Sequence, residues 1–286
     1  MPSLIDIRRR IRTVRNTQQI TKAMKMVSAA KLRRAQDRVL TARPYAQILE
    51  RLLGDVAAAA AGNERLAAHP LLARRSVRRI RLILMTADRG LAGAFNANLI
   101  KAALRFFEEH GEASIELETV GRKGRDFFRK RGYAIAGEYI GGTEKVSYEE
   151  AVRISSSVSG PFECSEIDAV YVLYNEFKSV VAQKLTVKQV LPLEIPKGEA
   201  RIDYIYEQPP EELAASLLPR YVEVEIHQAL LETAAAQQAA RMTAMDAATS
   251  NAAEMIDRLT LYMNRVRQAS ITKEIIEVVS GAAAVE

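Results

Sequence analysis

From Pro210 to about Gly281 the sequence runs through helix-forming residues with Pro219 as the only breaker. Pro210 suits a first helical position, and roughly 70 residues at 1.5 Å rise would extend over about 100 Å. Within this run Met245, Ala248, Ala252, Met255, Leu259, Tyr262, Val266 and Ala269 recur at alternating steps of three and four, and Ile276 resumes the series after Lys273. That is the a/d spacing of a coiled coil, with alanines that admit a close partner but give a weaker seam per turn than leucine. A helix of this length cannot bury its stripe against a compact domain and needs a second long helix. Bundle helices rarely exceed about 25 residues without caps, so an ordinary bundle is the poorer reading.

The other end supplies that partner. Ser3 followed by Asp6 fits a capping-box pattern, and strong helix formers continue to about Ala61. Pro44 removes one backbone hydrogen bond from this run, so a kink is expected there. Even so, roughly 55 residues would extend over about 80 Å.

The middle differs in kind. Val77 to Thr86, Ser114 to Val120, Tyr133 to Glu138 and DAVYVLYNEF read as strands, and VVAQKLTVKQVLPLEI reads as the hairpin partner of the last. Between them GAFNANLIKAALRFFEEHG, GRKGRDFFRKRG and SYEEAVRISSSVSG read as helices. Strands alternating with helices predict a small parallel or mixed sheet with helical layers. The fold class is therefore α/β: a long antiparallel coiled coil of N- and C-terminal helices with an inserted Rossmann-like α/β domain. Residues 1–61 form one helix of the coiled coil, 75–205 the α/β domain and 210–286 the other helix.

Charge is distributed unevenly. The chain carries a formal +6 with pI near 9.4. Before Pro44 lie Arg8, Arg9, Arg10, Arg12, Arg15, Lys22, Lys25, Lys31, Arg33, Arg34, Arg38 and Arg43 against Asp6 and Asp37 alone. The partner of that segment should be acidic. Cys164 is the only cysteine, which excludes an intrachain disulfide and a thiolate metal site built from this chain alone. The opening MPSLIDIRRR has no apolar run after its cations, and no later stretch offers 18 uncharged apolar residues, so neither secretion nor a membrane span is expected. With no Trp and 6% aromatics, the chain is lean for stacking bases.

TADRGLAGAFN, Thr86 to Asn96, is the most site-like stretch, because glycines at a helix start can cradle phosphate. Neither G-x-G-x-x-G nor G-x-x-x-x-G-K-[ST] is present, and a structural turn is the better reading. His69, His110 and His227 lie in three separate segments without ligand spacing. No G-x-S-x-G elbow occurs, and nothing resembles a catalytic constellation. No catalytic, cofactor-binding or metal-ligating residue is expected, and the residues favour a mechanical or scaffolding role over an enzyme.

Four stretches together resemble one family over essentially the full length, the gamma subunit of the bacterial-type F-type ATP synthase. They are ITKAMKMVSAAKLRRAQ, DRGLAGAFN, AARMTAMDAATSNAAEMI and, most specifically, ITKEIIEVVSGAA, with Thr272, Glu274 and Glu277 at fixed steps before Gly281 and Ala282. The resemblance implies a coiled-coil shaft inside a hexamer of three alpha and three beta subunits. The α/β domain would stand as a foot on the membrane-embedded c ring beside an epsilon subunit. Ion-driven rotation of that ring would turn the shaft, and its asymmetric profile would force the beta subunits through states of different nucleotide affinity. One copy per complex, no nucleic acid, no cofactor, and peripheral attachment at the cytoplasmic face of the cell membrane through partners are implied as well.

The resemblance also assigns residues. Met24 with Lys25, Lys31, Arg33 and Arg34 would face an acidic beta-subunit lever, and Arg241, Gln268 and Thr272 would contact beta-subunit catch loops. Ile276, Val278 and Val279 would form an apolar tip seated in a bearing. Tyr204, Tyr206 and Glu207 would meet the c ring and epsilon, although the tyrosines could instead be domain core. Two departures are visible: Ala92 stands in DRGLAG where many relatives carry Cys, and the paired-cysteine insertion of the chloroplast form is missing, which argues against thiol regulation. Pro219 would put a local break near the start of the long helix. Without the resemblance, a coiled-coil nucleic-acid binder or scaffold would be the next reading, and a nucleotide-binding enzyme centred on Asp88 to Asn96 the third.

Overall fold

A computed structural model of the chain describes residues 3–59, 66, 68–143, 146–180, 182–195 and 207–283. Helix α1 spans Leu4–Ala59 and is opened by a reciprocal cap. The Asp6 N–H donates to Ser3 Oγ at 3.2 Å, while Ser3 donates its hydroxyl to the Asp6 carboxylate at 2.7 Å. The last helix, α5, spans Pro210–Ala283. Pro44 and Pro219 both lie inside these helices, which continue through them, so the break anticipated at Pro219 does not occur. Both prolines sit on the exposed side, where water can satisfy the carbonyl each leaves without an N–H.

Between the long helices lies a five-stranded sheet. Its strands are β1 (Arg79–Met85), β2 (Ser114–Val120), β3 (Ile135–Tyr139), β4 (Ala169–Phe177) and β5 (Gln183–Leu191), in the order β3-β2-β1-β4-β5. Four strands are parallel, and β5 pairs antiparallel with β4. The connecting helices are α2 (Phe95–Glu109), α3 (Arg122–Arg129) and α4 (Tyr148–Glu163). Successive side chains of a strand point to opposite faces. Ile83, Met85, Val170 and Val172 accordingly join one core with Ile154, Val158 and Phe162 of α4, Leu49 and Leu53 of α1, and Leu218, Val222 and Leu230 of α5. Helices α2 and α3 contact the strands, and Phe106 of α2 stacks at a tilt on Tyr171.

The chain divides into two compact units, one made of residues up to Ser28 with those from Met242, the other of Ala29–Arg241. In the first, Thr249 meets Thr21 through a 2.8 Å hydroxyl hydrogen bond and Lys25 pairs with Asp246 at 2.5 Å, so the helices run antiparallel. The α1 side of this seam is Leu4, Ile7, Ile11, Val14, Gln18, Thr21 and Ser28, all buried or half-buried. On α5 the seam follows Met245, Ala248, Ala252, Leu259 and Val266 as the spacing predicts, but between them Ile256, Met263 and Ser270 turn inward in place of Met255, Tyr262 and Ala269. Met255 and Tyr262 are 46% and 41% exposed instead. A 3.6-residue turn drifts about 20° per heptad against a strict 3.5-residue repeat, which carries the buried stripe toward higher residue numbers.

Candidate functional site

The opening stretch presents its apolar residues outward. Thr21 and Ser28 face the seam, whereas Ile20, Met26 and Val27 are exposed, Met26 by 61%. Met24 is half-buried beside Lys25, whose charge is met within the chain by Asp246. Lys31, Arg33 and Arg34 flank the buried Leu32 and reach solvent. Lys31, Arg34 and Arg38 rim a cavity of about 170 Å³, closed by Thr143, Val146, Leu231 and Gln238. Small polar residues take the positions against α5, so Ile20, Met26 and Val27 face out, while Met24 and Lys25 are only half-exposed.

Along α5 the candidates behave differently. Arg241 is buried and donates to Gln238 Oε1 at 3.2 Å. Gln268 and Thr272, four residues apart on one helix face, are exposed. Ile276, Val278 and Val279 are exposed too, Val278 by 73%. Glu207 is exposed, while Tyr204 and Tyr206 lie outside the described residues.

The sheet offers a second place where a ligand would be sought. In doubly wound sheets, ligands bind beyond the carboxyl ends of the strands at the point where strand order reverses. Here that point lies between β1 and β4. Helix α5 crosses it. Thr233 approaches Met85 Sδ at 3.7 Å at the end of β1, and the Glu232 carboxylate accepts the Phe177 N–H at 2.8 Å at the end of β4. Glu232 also receives a hydrogen bond from Arg43 of α1 at 3.2 Å.

The glycine-rich turns nearby are occupied by structural duties. Asp88 accepts the N–H groups of Arg122 and Gly141, each at 3.1 Å, and so ties the turns after β2 and β3 to the one after β1. Asn96 Oδ1 accepts the Ala87 N–H at 2.9 Å. A Cβ at Gly124 would stand 2.9 Å from Thr86 Oγ1, so the glycines of GRKGRDFF let α3 pack against β1. Farther along, Tyr148 donates to Glu223 at 2.6 Å, and burial together with that bond pushes its hydroxyl up to about 12. Burial lowers His227, which meets the Tyr148 ring edge-on. Among the described residues, no group of three His, Cys, Asp or Glu side chains could hold a metal ion, and no helix is long and apolar enough to cross a membrane.

Comparison with known proteins decides the family. A family model described as ATP synthase matches residues 3–285. A curated ATP synthase gamma chain from Solibacter usitatus is 66% identical over 286 residues, covering all of both chains. The chain belongs to the ATP synthase gamma-chain family. A second member, from Pelotomaculum thermopropionicum, is 52% identical over 289 residues, again with full coverage of both. The gamma-chain fold is also matched in solved assemblies. One chain of the Euglena gracilis mitochondrial ATP synthase (OSCP, F1 and c-ring) gives a TM-score of 0.68 at 17% identity, covering 99% of this chain and 94% of that one. One from the Tetrahymena thermophila central stalk and c-ring gives 0.59 at 23% identity, covering 80% and 99%.

Sequence reading overlooked Thr21, Ser28 and Glu232. Each is polar at a position that periodicity assigns to apolar residues. For Glu232 the only available signal was a carboxylate inside the ALLETAAA run, which is apolar apart from it and Thr233.

Proposed function

We propose that this chain is the central rotor shaft of an F-type ATP synthase. It transmits torque between an ion-driven c ring and a hexamer of three alpha and three beta subunits, one copy per complex. Supporting this reading above all is the antiparallel pairing of α1 with α5, together with the exposure of every residue of α5 from Ile271 to Ser280. The shaft comprises residues 1–61 and 210–286, and residues 75–205 form the foot against the c ring and epsilon. The chain is non-catalytic: the site of nucleotide chemistry lies on its partners, and its own sheet crevice is filled by α5. It is peripheral to the membrane, at the cytoplasmic face, and reaches the bilayer only through the c ring.

The exposed surface of α1 suits a contact that must be made and released repeatedly. Methionine is unbranched and polarizable, hence tolerant of changing neighbours. Each exposed ion pair made by Lys31, Arg33 or Arg34 with an acidic beta-subunit lever contributes only about 0 to 1 kcal/mol, weak enough to exchange at every step of a turn. Gln268 and Thr272 meet beta-subunit loops, Arg241, buried beside Gln238, joins them only with its remaining exposed edge, and Ile276, Val278 and Val279 seat the tip in an apolar bearing. Tyr204, Tyr206 and Glu207 serve the foot.

Reconstitution tests the proposal. The purified chain should hydrolyse no ATP alone and should restore ATPase activity to alpha and beta subunits that lack it. Turnover by the isolated chain, or failure to assemble with alpha and beta, would remove the assignment. Salt-sensitive DNA binding by the isolated chain would favour the nucleic-acid reading instead.

A further inference from the structure

We infer that Glu232 is a positioning residue that latches the sheet to both long helices, and that the Glu232 junction is where torque passes between them; this rests on the rotor reading above. Glu232 lies on α5 with its side chain 3% exposed, and its two carboxylate oxygens serve different elements. Oε2 accepts the Phe177 N–H at the end of β4, and Oε1 accepts the guanidinium of Arg43 on α1. The next residue, Thr233, is fully buried against Met85 at the end of β1. Three elements distant in sequence therefore meet on one carboxylate.

Chemistry explains why an acid stands where the surrounding pattern is apolar. Phe177 has an N–H at the end of the strand that requires an acceptor once buried. A carboxylate supplies it and keeps a second oxygen for the cation of α1, which alanine or leucine could not do. A pair with one buried and one half-exposed partner is a poor source of net stability but can specify register, since the buried carboxylate is satisfied only where Arg43 and the Phe177 N–H both reach it. Sliding α1 by one residue against α5 would carry Arg43 away and strand the charge. Apolar contacts between the sheet and the helices can slide under load, whereas this junction cannot without breaking two charge-assisted hydrogen bonds.

The experiment uses complete complexes in sealed vesicles, with Glu232→Ala, Glu232→Gln, Arg43→Met and Arg43→Lys chains. Two quantities are read: amide exchange at Phe177, and protons pumped per ATP hydrolysed. Glu232→Ala should speed Phe177 exchange by about tenfold or more, as loss of a charged hydrogen bond predicts, and Glu232→Gln, which keeps an acceptor, should speed it far less. Pumping per ATP should fall several-fold in Glu232→Ala and Arg43→Met while hydrolysis persists, and Arg43→Lys should restore it. An unchanged pumping ratio in both variants would overturn the latch, whatever happens to exchange. Should Glu232→Ala fail to fold, Arg43→Met decides, because Arg43 is 39% exposed and its removal leaves the Phe177 bond in place. Absence of ATP-driven pumping with the unaltered chain would instead remove the rotor reading itself.

Discussion

Gly121 has φ of 93°, and a Cβ there would lie 2.1 Å from the Thr86 carbonyl oxygen. No side chain fits that approach, so Gly121→Ala should destabilise the chain by more than about 2 kcal/mol, seen as a lowered thermal midpoint. Asp168 shows a different dependence on single groups. Burial would raise its carboxyl, but the N–H groups of Arg78 and Arg79, with the nearby Arg79 and Arg75 guanidiniums, outweigh burial and hold it below its ordinary value. Because the folded value is the lower one, this contribution is complete above about pH 4 and is lost as pH falls through the folded value. Asp168→Asn should therefore cost about 1 to 3 kcal/mol at neutral pH, with the difference from the unaltered chain shrinking below about pH 4 in denaturant melts.

Helix α1 shows how a seven-residue repeat that opens on Leu4, Ile7, Ile11 and Val14 can continue without apolar residues to advertise it. Its inward positions go on to half-buried Gln18 and buried Thr21 and Ser28, while Ile20, Met26 and Val27 face out. Small residues at the seam let the helices approach closely, so bulk there is costly. Ser28→Leu should lower stability by about 1 to 3 kcal/mol through overpacking, whereas Ile20→Ser should change it by less than about 0.5 kcal/mol. Chemical denaturation of the two variants checks both, and similar losses would mean that the burial pattern is wrong. The strands and short helices were legible because β-branched runs such as RIRLILM, bounded by turn residues, keep their meaning in most contexts. The seam of α5 beyond Ala252 was legible at Leu259 and Val266 but not at Met255, Tyr262 and Ala269, where helix drift moves the inward position on by one residue.

For the whole molecule, the proposed role separates stability from coupling. Reversing Lys31, Arg33 and Arg34 to Glu alters exposed groups, so the fold should lose less than about 1 kcal/mol. The ratio of protons pumped to ATP hydrolysed should nevertheless fall, because the acidic partner would be repelled. A normal ratio in vesicles carrying the triple variant would count against that contact.

The sequence by itself determined the class of this protein. Long uninterrupted helix formers at both ends, strand and helix periodicities between them and the one-sided charge of α1 are local properties, carried by neighbouring residues and independent of what packs where. The ordered motifs at both ends sufficed to name the family. Only the tertiary structure decided which face of α1 looks inward, that α5 fills the crevice at the reversal of strand order, and that Glu232 joins α1, β4 and α5. Those facts depend on groups 55 and 189 residues apart meeting at one carboxylate. No local pattern encodes such a meeting, because the burial that makes a lone glutamate valuable exists only after the elements have packed.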